Sequence, residues 1–221
     1  IKNETTPISV VLTAKNGGRT VLTKRGIASG INLDFIKKQK LDTKWVYLTN
    51  LGEGFEKAHE IINYLKSQNL RVFWNPGILE LADLNLEFLS VVDILLLNIE
   101  EALILSKKPG LNLMDTINYF AKNIKSKVII ITAGEKGAFL IANNKCYYVE
   151  GFEVEDIQST VGAGDAFGSG FLQGVIKNIS FDLCLEYAIK NSTSVIKNMG
   201  AKENFIKDLK DFQKPKIKKL F

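Results

Sequence analysis

An α/β fold of three layers, with a mostly parallel sheet covered by helices on both faces, is predicted by three observations. Four short, strongly apolar runs at 45–49, 72–74, 94–97 and 128–131 have the length of strands buried on both sides. Segments near 55–68, 84–90, 99–106 and 113–124 lie between and after them with helical character. No stretch rich in Pro, Gly or Ser divides the 221 residues, so this alternation implies right-handed crossovers within one large domain.

The elements follow in order. Residues 7–13 and 19–23 read as two strands joined by Lys15-Asn16-Gly17-Gly18, because glycines supply the positive φ that a tight turn needs. The α/β core is expected over 26–213. Trp45 heads its first strand and Trp74 closes its second, positions better explained by packing than by base stacking. His59, the only histidine, falls between charged neighbours on the helix at 55–68 and is expected at the surface. The stretch 138–149 reads as two further strands around Asn143-Asn144, forming an antiparallel edge, and helices at 163–177 and 181–198 finish the core. In the last residues, 214–221, Lys214, Lys216, Lys218 and Lys219 crowd together and are expected to form a solvated basic tail.

Composition narrows the function classes. The net charge of +5 is spread along the chain apart from that tail, and no nucleic-acid module accompanies it. No apolar run approaches the ~20 residues needed to span a bilayer, and no signal-peptide pattern is visible. Cys146 and Cys184, the only cysteines, fall on a strand and a helix and suggest neither a disulfide framework nor a metal cluster. The cytoplasm is the expected compartment.

The chemistry concentrates in Ser159 to Phe167, STVGAGDAF. Phe167, Phe171, Leu172 and Val175 recur at helical spacing, so a helix should begin near Ala163. Its first N–H groups have no partner inside the helix, and Gly162 and Gly164 allow the backbone to curl so that these donors converge on an anion. Asp165 would repel a phosphate there unless it had work to do, and accepting the proton of an attacking hydroxyl is such work. It is expected to be a buried anion beside the phosphate. The alternative is a plain strand-to-helix turn with a capping acid. Upstream, the strand at 93–97 leads directly into Asn98 and Glu101, at the carboxyl end of a buried strand where open α/β sheets place ligands; an Asn helix cap with an exposed Glu is the alternative. A third motif, Thr132-Ala133-Gly134-Glu135-Lys136-Gly137, joins two strands and is otherwise explained as a hairpin turn.

Taken together and in this order, the three motifs resemble those of the ribokinase, or PfkB, family of carbohydrate kinases. The resemblance implies a ribokinase-like fold and transfer of phosphate from ATP to a primary alcohol of a sugar or nucleoside-like acceptor. It implies that Asp165 is the general base and that Gly162, Ala163 and Gly164 form the anion hole. Asn98 and Glu101 would organise Mg2+ through water, and Thr132, Gly134 and Gly137 would lie along the ATP phosphates. Lys136 would touch phosphate or remain an exposed loop lysine. The two amino-terminal strands, 7–25, would be part of a lid that closes over the acceptor and builds a homodimer.

The resemblance covers the carboxyl two-thirds of the family pattern, without the segment that grips the sugar. The chain therefore reads as a fragment of a longer product or as a naturally short protein, and a nucleotide-binding but inactive regulatory subunit is the alternative function. Ser159 stands where members usually carry an Asp that helps bind a monovalent cation, which argues against that ion here. Gly52 lies near the position of a sugar-contacting Glu in ribokinases, which argues against ribose. Asn75-Pro76-Gly77 replaces a common Asp-Pro-Asn, and Gly200-Ala201 matches a Gly-Ala that follows the last helix.

Overall fold

Alternating side chains on the central strands build two separate cores, one on each face of a seven-stranded sheet. The structure, a computed structural model, describes residues 5–13, 19–24, 30–154, 157–198, 200, 204–206 and 215–221. The expected turn at 15–18, Ala201 and Lys214 lie outside the described residues. Strands β1 (Ile8–Thr13) and β2 (Arg19–Lys24) form an antiparallel ribbon of their own, with Val10 opposite Leu22. Ile8, Val10, Leu12 and Leu22 are exposed on it.

The main sheet runs in sequence order: β3 (Trp45–Leu48), β4 (Arg71–Trp74), β5 (Ile94–Asn98), β6 (Val128–Thr132), β7 (Ala138–Ala142), β8 (Lys145–Val149) and β9 (Ile217–Lys219). The first four are parallel and each later strand is antiparallel to its neighbour, so β8 runs with the first four and only β7 and β9 oppose them. The helices are α1 (Leu33–Lys38), α2 (Phe55–Ser67), α3 (Ile78–Ala82), α4 (Ile99–Ser106), α5 (Leu113–Asn123), α6 (Ala163–Ile176) and α7 (Phe181–Ile196). On one face Val72, Trp74, Leu95, Leu97, Ile129 and Ile131 pack with Ile61 and Leu65 of α2, Leu105 of α4 and Phe120 of α5. On the other, Phe73, Ile94, Leu96 and Ile130 pack with Phe167 and Phe171 of α6 and Leu185 and Ala188 of α7. A strand flanked on both sides in this way has no polar face, which is why these runs are apolar throughout. Helices α6 and α7 approach closely at Gly170, where an added Cβ would lie 2.9 Å from the Tyr187 carbonyl.

Two expectations need correction. The basic tail supplies β9: Ile217 packs against the α6–α7 core, and the backbone of Cys146 is bonded to Leu220 and Phe221 at 2.8 and 3.0 Å. Ile217 is the apolar residue that anchors the segment, while exposed Lys218 and the other lysines give the new sheet edge the charge that discourages further pairing. The segment expected as a helix at 84–90 is a 3-10 helix, Leu86–Val91. Leu86 and Leu89 are three apart, the period at which 3-10 side chains align, and Asn85 caps it by accepting from Glu87 N at 2.9 Å. Helices α1 and α3, both short, are additions to the sequence expectation.

At the amino ends of β4 to β6, Asp93 is buried and accepts hydrogen bonds from Lys66 Nζ at 2.6 Å, Lys127 Nζ at 2.5 Å and Val72 N at 2.9 Å.

Candidate active site

The carboxyl ends of the parallel strands carry a rim of polar residues. Asn98 ends β5 and Thr132 ends β6, and the two are register partners. Asn75, directly after β4, ties the rim together by donating from Nδ2 to the Leu96 carbonyl at 2.9 Å. Asn98 opens α4 with a reciprocal pair of bonds: its Oδ1 accepts from Glu101 N at 2.8 Å, while Glu101 Oε2 accepts from Asn98 N at 2.8 Å. The pair is thus a capping box, which explains the i, i+3 spacing by helix chemistry alone. It nevertheless holds a half-buried carboxylate at the rim. Burial, with Glu100 and Glu80 nearby, pushes Glu101 above the usual carboxylate range, and its bond from Asn98 N only partly offsets this.

Thr132 is half-buried, and its hydroxyl donates to the Leu97 carbonyl at a long 3.4 Å. The turn that follows has Gly134 at φ 58° and Gly137 at φ 87°, closed by Ala133 N bonding the Gly137 carbonyl at 2.8 Å. A Cβ on Gly137 would lie 2.0 Å from the Val149 carbonyl, so this glycine answers to strand contact. Lys136 is exposed in the same turn.

Gly162 precedes α6 in the left-handed region at φ 81°, a conformation that favours glycine, and Asp165 is the third residue of the helix. The loop before it is anchored to the end of α7, since Gln158 N bonds the Ile196 carbonyl at 2.9 Å. Ser159 shapes this loop through its Oγ, which accepts from Val161 N at 3.2 Å. Ala163 N–H is engaged by the Thr160 carbonyl at 3.3 Å, so of the expected donors Ala163 is partly spent. By helix geometry the N–H groups of Gly164 and Asp165 have no partner within the helix. Asp165 is exposed rather than buried, which corrects the sequence expectation. The reason is the openness of the first turn, where a Cβ on Gly164 would meet nothing within 4 Å.

Two residues of this end escaped the sequence reading. Glu80 of α3 is fully buried, and its carboxylate accepts from Gly52 N at 3.0 Å and from Gly77 N, binding the loops after β3 and β4 together. Its spacing after Gly77, the helix cap, is the i, i+3 signal of a capping box and could have been noticed. Tyr47 of β3 has a buried hydroxyl that, among the described residues, has no hydrogen-bond partner. Burial, then the charges of Asp165 and Glu101, raise its pKa above the usual phenol value. Both carboxylates, from α6 and α4, thus disfavour ionisation of the Tyr47 hydroxyl.

Comparison with known proteins agrees with this fold. Residues 1–208 match the model of the pfkB family of carbohydrate kinases. A ribokinase from Haemophilus influenzae is 25% identical over 216 residues, which span 92% of this chain and 67% of that protein. The nucleoside kinase of Burkholderia thailandensis, solved with inosine, superposes with a TM-score of 0.74 at 17% identity, over 92% of this chain and 66% of that one. The ribokinase of Arabidopsis thaliana, solved with ribose and ATP, gives 0.76 at 20% identity, over 94% and 68%. The chain thus spans about two thirds of the length of these relatives. With its family model matched from residue 1 to residue 208 and the fold shared over more than nine tenths of its length, the chain belongs to the pfkB family of carbohydrate kinases.

Proposed function

We propose that this chain carries the phosphoryl-transfer half of an ATP-dependent kinase whose acceptor is a hydroxyl of a sugar or nucleoside. The observation that carries the reading is the open first turn of α6 behind Gly162, where Asp165 stands beside N–H groups that have no partner within the helix. Asp165 takes the proton from the attacking hydroxyl as the oxygen–phosphorus bond forms. The N–H groups at the head of α6, from Gly162 to Gly164, with that of Ala163 partly spent on the Thr160 carbonyl, hold the charge that develops on the transferred group, and the helix dipole adds to this. Space around Gly164 supports the assignment, because a phosphate can reach that backbone unhindered. Thr132, Gly134, Lys136 and Gly137 flank the phosphate chain of the nucleotide.

The residues fit magnesium only in an outer shell. Glu101 spends one carboxylate oxygen on Asn98 N and offers the other to water, which suits an ion that keeps several of its waters and binds mainly to phosphate. When bound, magnesium supplies charge neutralisation on the nucleotide; orientation and proton transfer fall to the chain.

ATP-to-ADP conversion against a panel of sugars and nucleosides tests the proposal. Asp165→Asn should lower turnover by a factor on the order of 10² to 10⁴ with ATP affinity nearly intact. Equal turnover in that variant would refute the role of Asp165. A second reading, nucleotide binding without transfer, is favoured by the exposure of Asp165; ATP binding with no acceptor-dependent ADP from the parent chain would establish it.

A further inference from the structure

We propose that Tyr47 is a positioning residue for Asp165: its hydroxyl is wedged onto the α6 backbone at Gly168, and that contact sets the depth at which the first turn of α6 seats on the sheet. The inference rests on the reading of Asp165 as the proton acceptor. The ring of Tyr47 is held by stacking on Phe73, with centroids 4.6 Å apart at 29°, and Phe73 in turn meets Phe171 of α6 edge-on at 6.2 Å. A Cβ built on Gly168 would fall 2.0 Å from Tyr47 Oη, 2.6 Å from Cζ and 3.1 Å from Leu96 Cδ2. No other residue type fits at 168 while Tyr47 keeps this position. Glycine inside a helix is unfavourable in itself, so the contact it permits is its compensation.

Packing alone does not account for the hydroxyl. Phenylalanine would fill the same space without burying an O–H that has no partner among the described residues, a cost that proteins rarely carry without reason. Gly168 lies three residues after Asp165, on the same face and about one turn along. A displacement of the helix at Gly168 is therefore a displacement of the Asp165 carboxylate. The rigid β3–β4 pair, in which Tyr47 and Phe73 are register partners, is the reference against which the turn is set.

Three variants and two measurements test this. Tyr47→Phe should melt at or above the parent temperature, since it removes an unsatisfied group. It should keep the KM for ATP within about twofold and lose roughly tenfold in kcat, because small misplacements of a catalytic group are costly. Gly168→Ala should lose on the order of 10² in kcat, and adding Tyr47→Leu to it should restore part of that loss. Amide hydrogen exchange at Ala166, whose N–H bonds the Gly162 carbonyl at 2.8 Å, measured without substrate, should be several-fold faster in Tyr47→Phe than in the parent. Parent-like kcat and exchange in Tyr47→Phe would overturn the proposal, as would losses in the double variant that are the sum of the single ones. A parent chain that turns over no acceptor would defeat the kinase reading instead, and the exchange rates would then decide the role of Tyr47.

Discussion

The two ends of the central sheet treat buried polar groups in opposite ways. At the amino ends of β4 to β6, burial alone would raise the pKa of Asp93, but Lys127, Lys66 and the Val72 N–H outweigh it and hold the carboxyl below its usual range. At the carboxyl ends, Glu101 is pushed above its usual range and the Tyr47 hydroxyl has no partner among the described residues. Both ends lie against the same apolar strands, so burial is not what distinguishes them. One end spends its charges on holding the strands together, whereas the other keeps charges and donors at a cost in stability. Such a cost marks groups that are kept for a ligand.

The largest effect should come from closing the open first turn of α6. Gly164→Val puts a side chain into space that none of the described residues occupies, so stability should change by no more than a few tenths of a kcal/mol. Turnover should fall by a factor on the order of 10² to 10³, the usual effect of losing a donor to developing charge. Thermal melts and kcat measured together check both halves. Parent-like turnover would move the anion hole elsewhere and blur the contrast between the two ends.

The converse experiment is at Asp93. Asp93→Asn leaves Lys66 and Lys127 facing a neutral amide, and should destabilise by about 2 kcal/mol, limited by the solvent that reaches Lys127. Urea denaturation reads the loss, and kcat should stay unchanged. The pH dependence sharpens it. A depressed carboxyl contributes stability that is present above its unfolded value, about 3.9, and is lost as pH falls through the lower folded value. The gap between parent and variant should therefore narrow below about pH 4. A gap independent of pH would mean that the Asp93 charge is not what holds this end.

Much of the sheet was legible because its signals are local. The strand runs at 45–49, 72–74, 94–97 and 128–131 each differ from the observed strands by at most one residue at either end, since strands buried on both faces are written as continuous apolar runs. The helix start at Ala163 was equally plain from the helical spacing of Phe167, Phe171, Leu172 and Val175. The strand β9 was not, because two of its three residues are lysines while its pairing with β8 depends on residues far away in sequence. The rim motifs were visible as residues, but their buried or exposed state was not. Whether Asp165 lies open depends on what stands opposite Gly164, and no spacing within the chain encodes that. Tyr47 and Gly168 are 121 positions apart by number, and neither carries a signal until the fold brings them together.

The smallest predicted effect is the most diagnostic, because its sign is opposite to that at Asp93. Glu101→Gln keeps the side chain's shape and an acceptor for Asn98 N, so the capping box should survive. It removes a half-buried charge whose carboxyl is raised by burial and by Glu100 and Glu80. A carboxyl raised in the folded state favours folding fully below its unfolded value, about 4.3, and that contribution is lost as pH rises through the folded value. The variant should then be the more stable protein at pH 7, by about 0.5 kcal/mol after allowance for solvent screening, and the difference should vanish near pH 4. If the charge is kept for magnesium and nucleotide, the same substitution should weaken ATP binding in the presence of magnesium. A loss of stability at pH 7 with unchanged ATP binding would make Glu101 a capping residue and nothing more, and the two ends of the sheet would be alike.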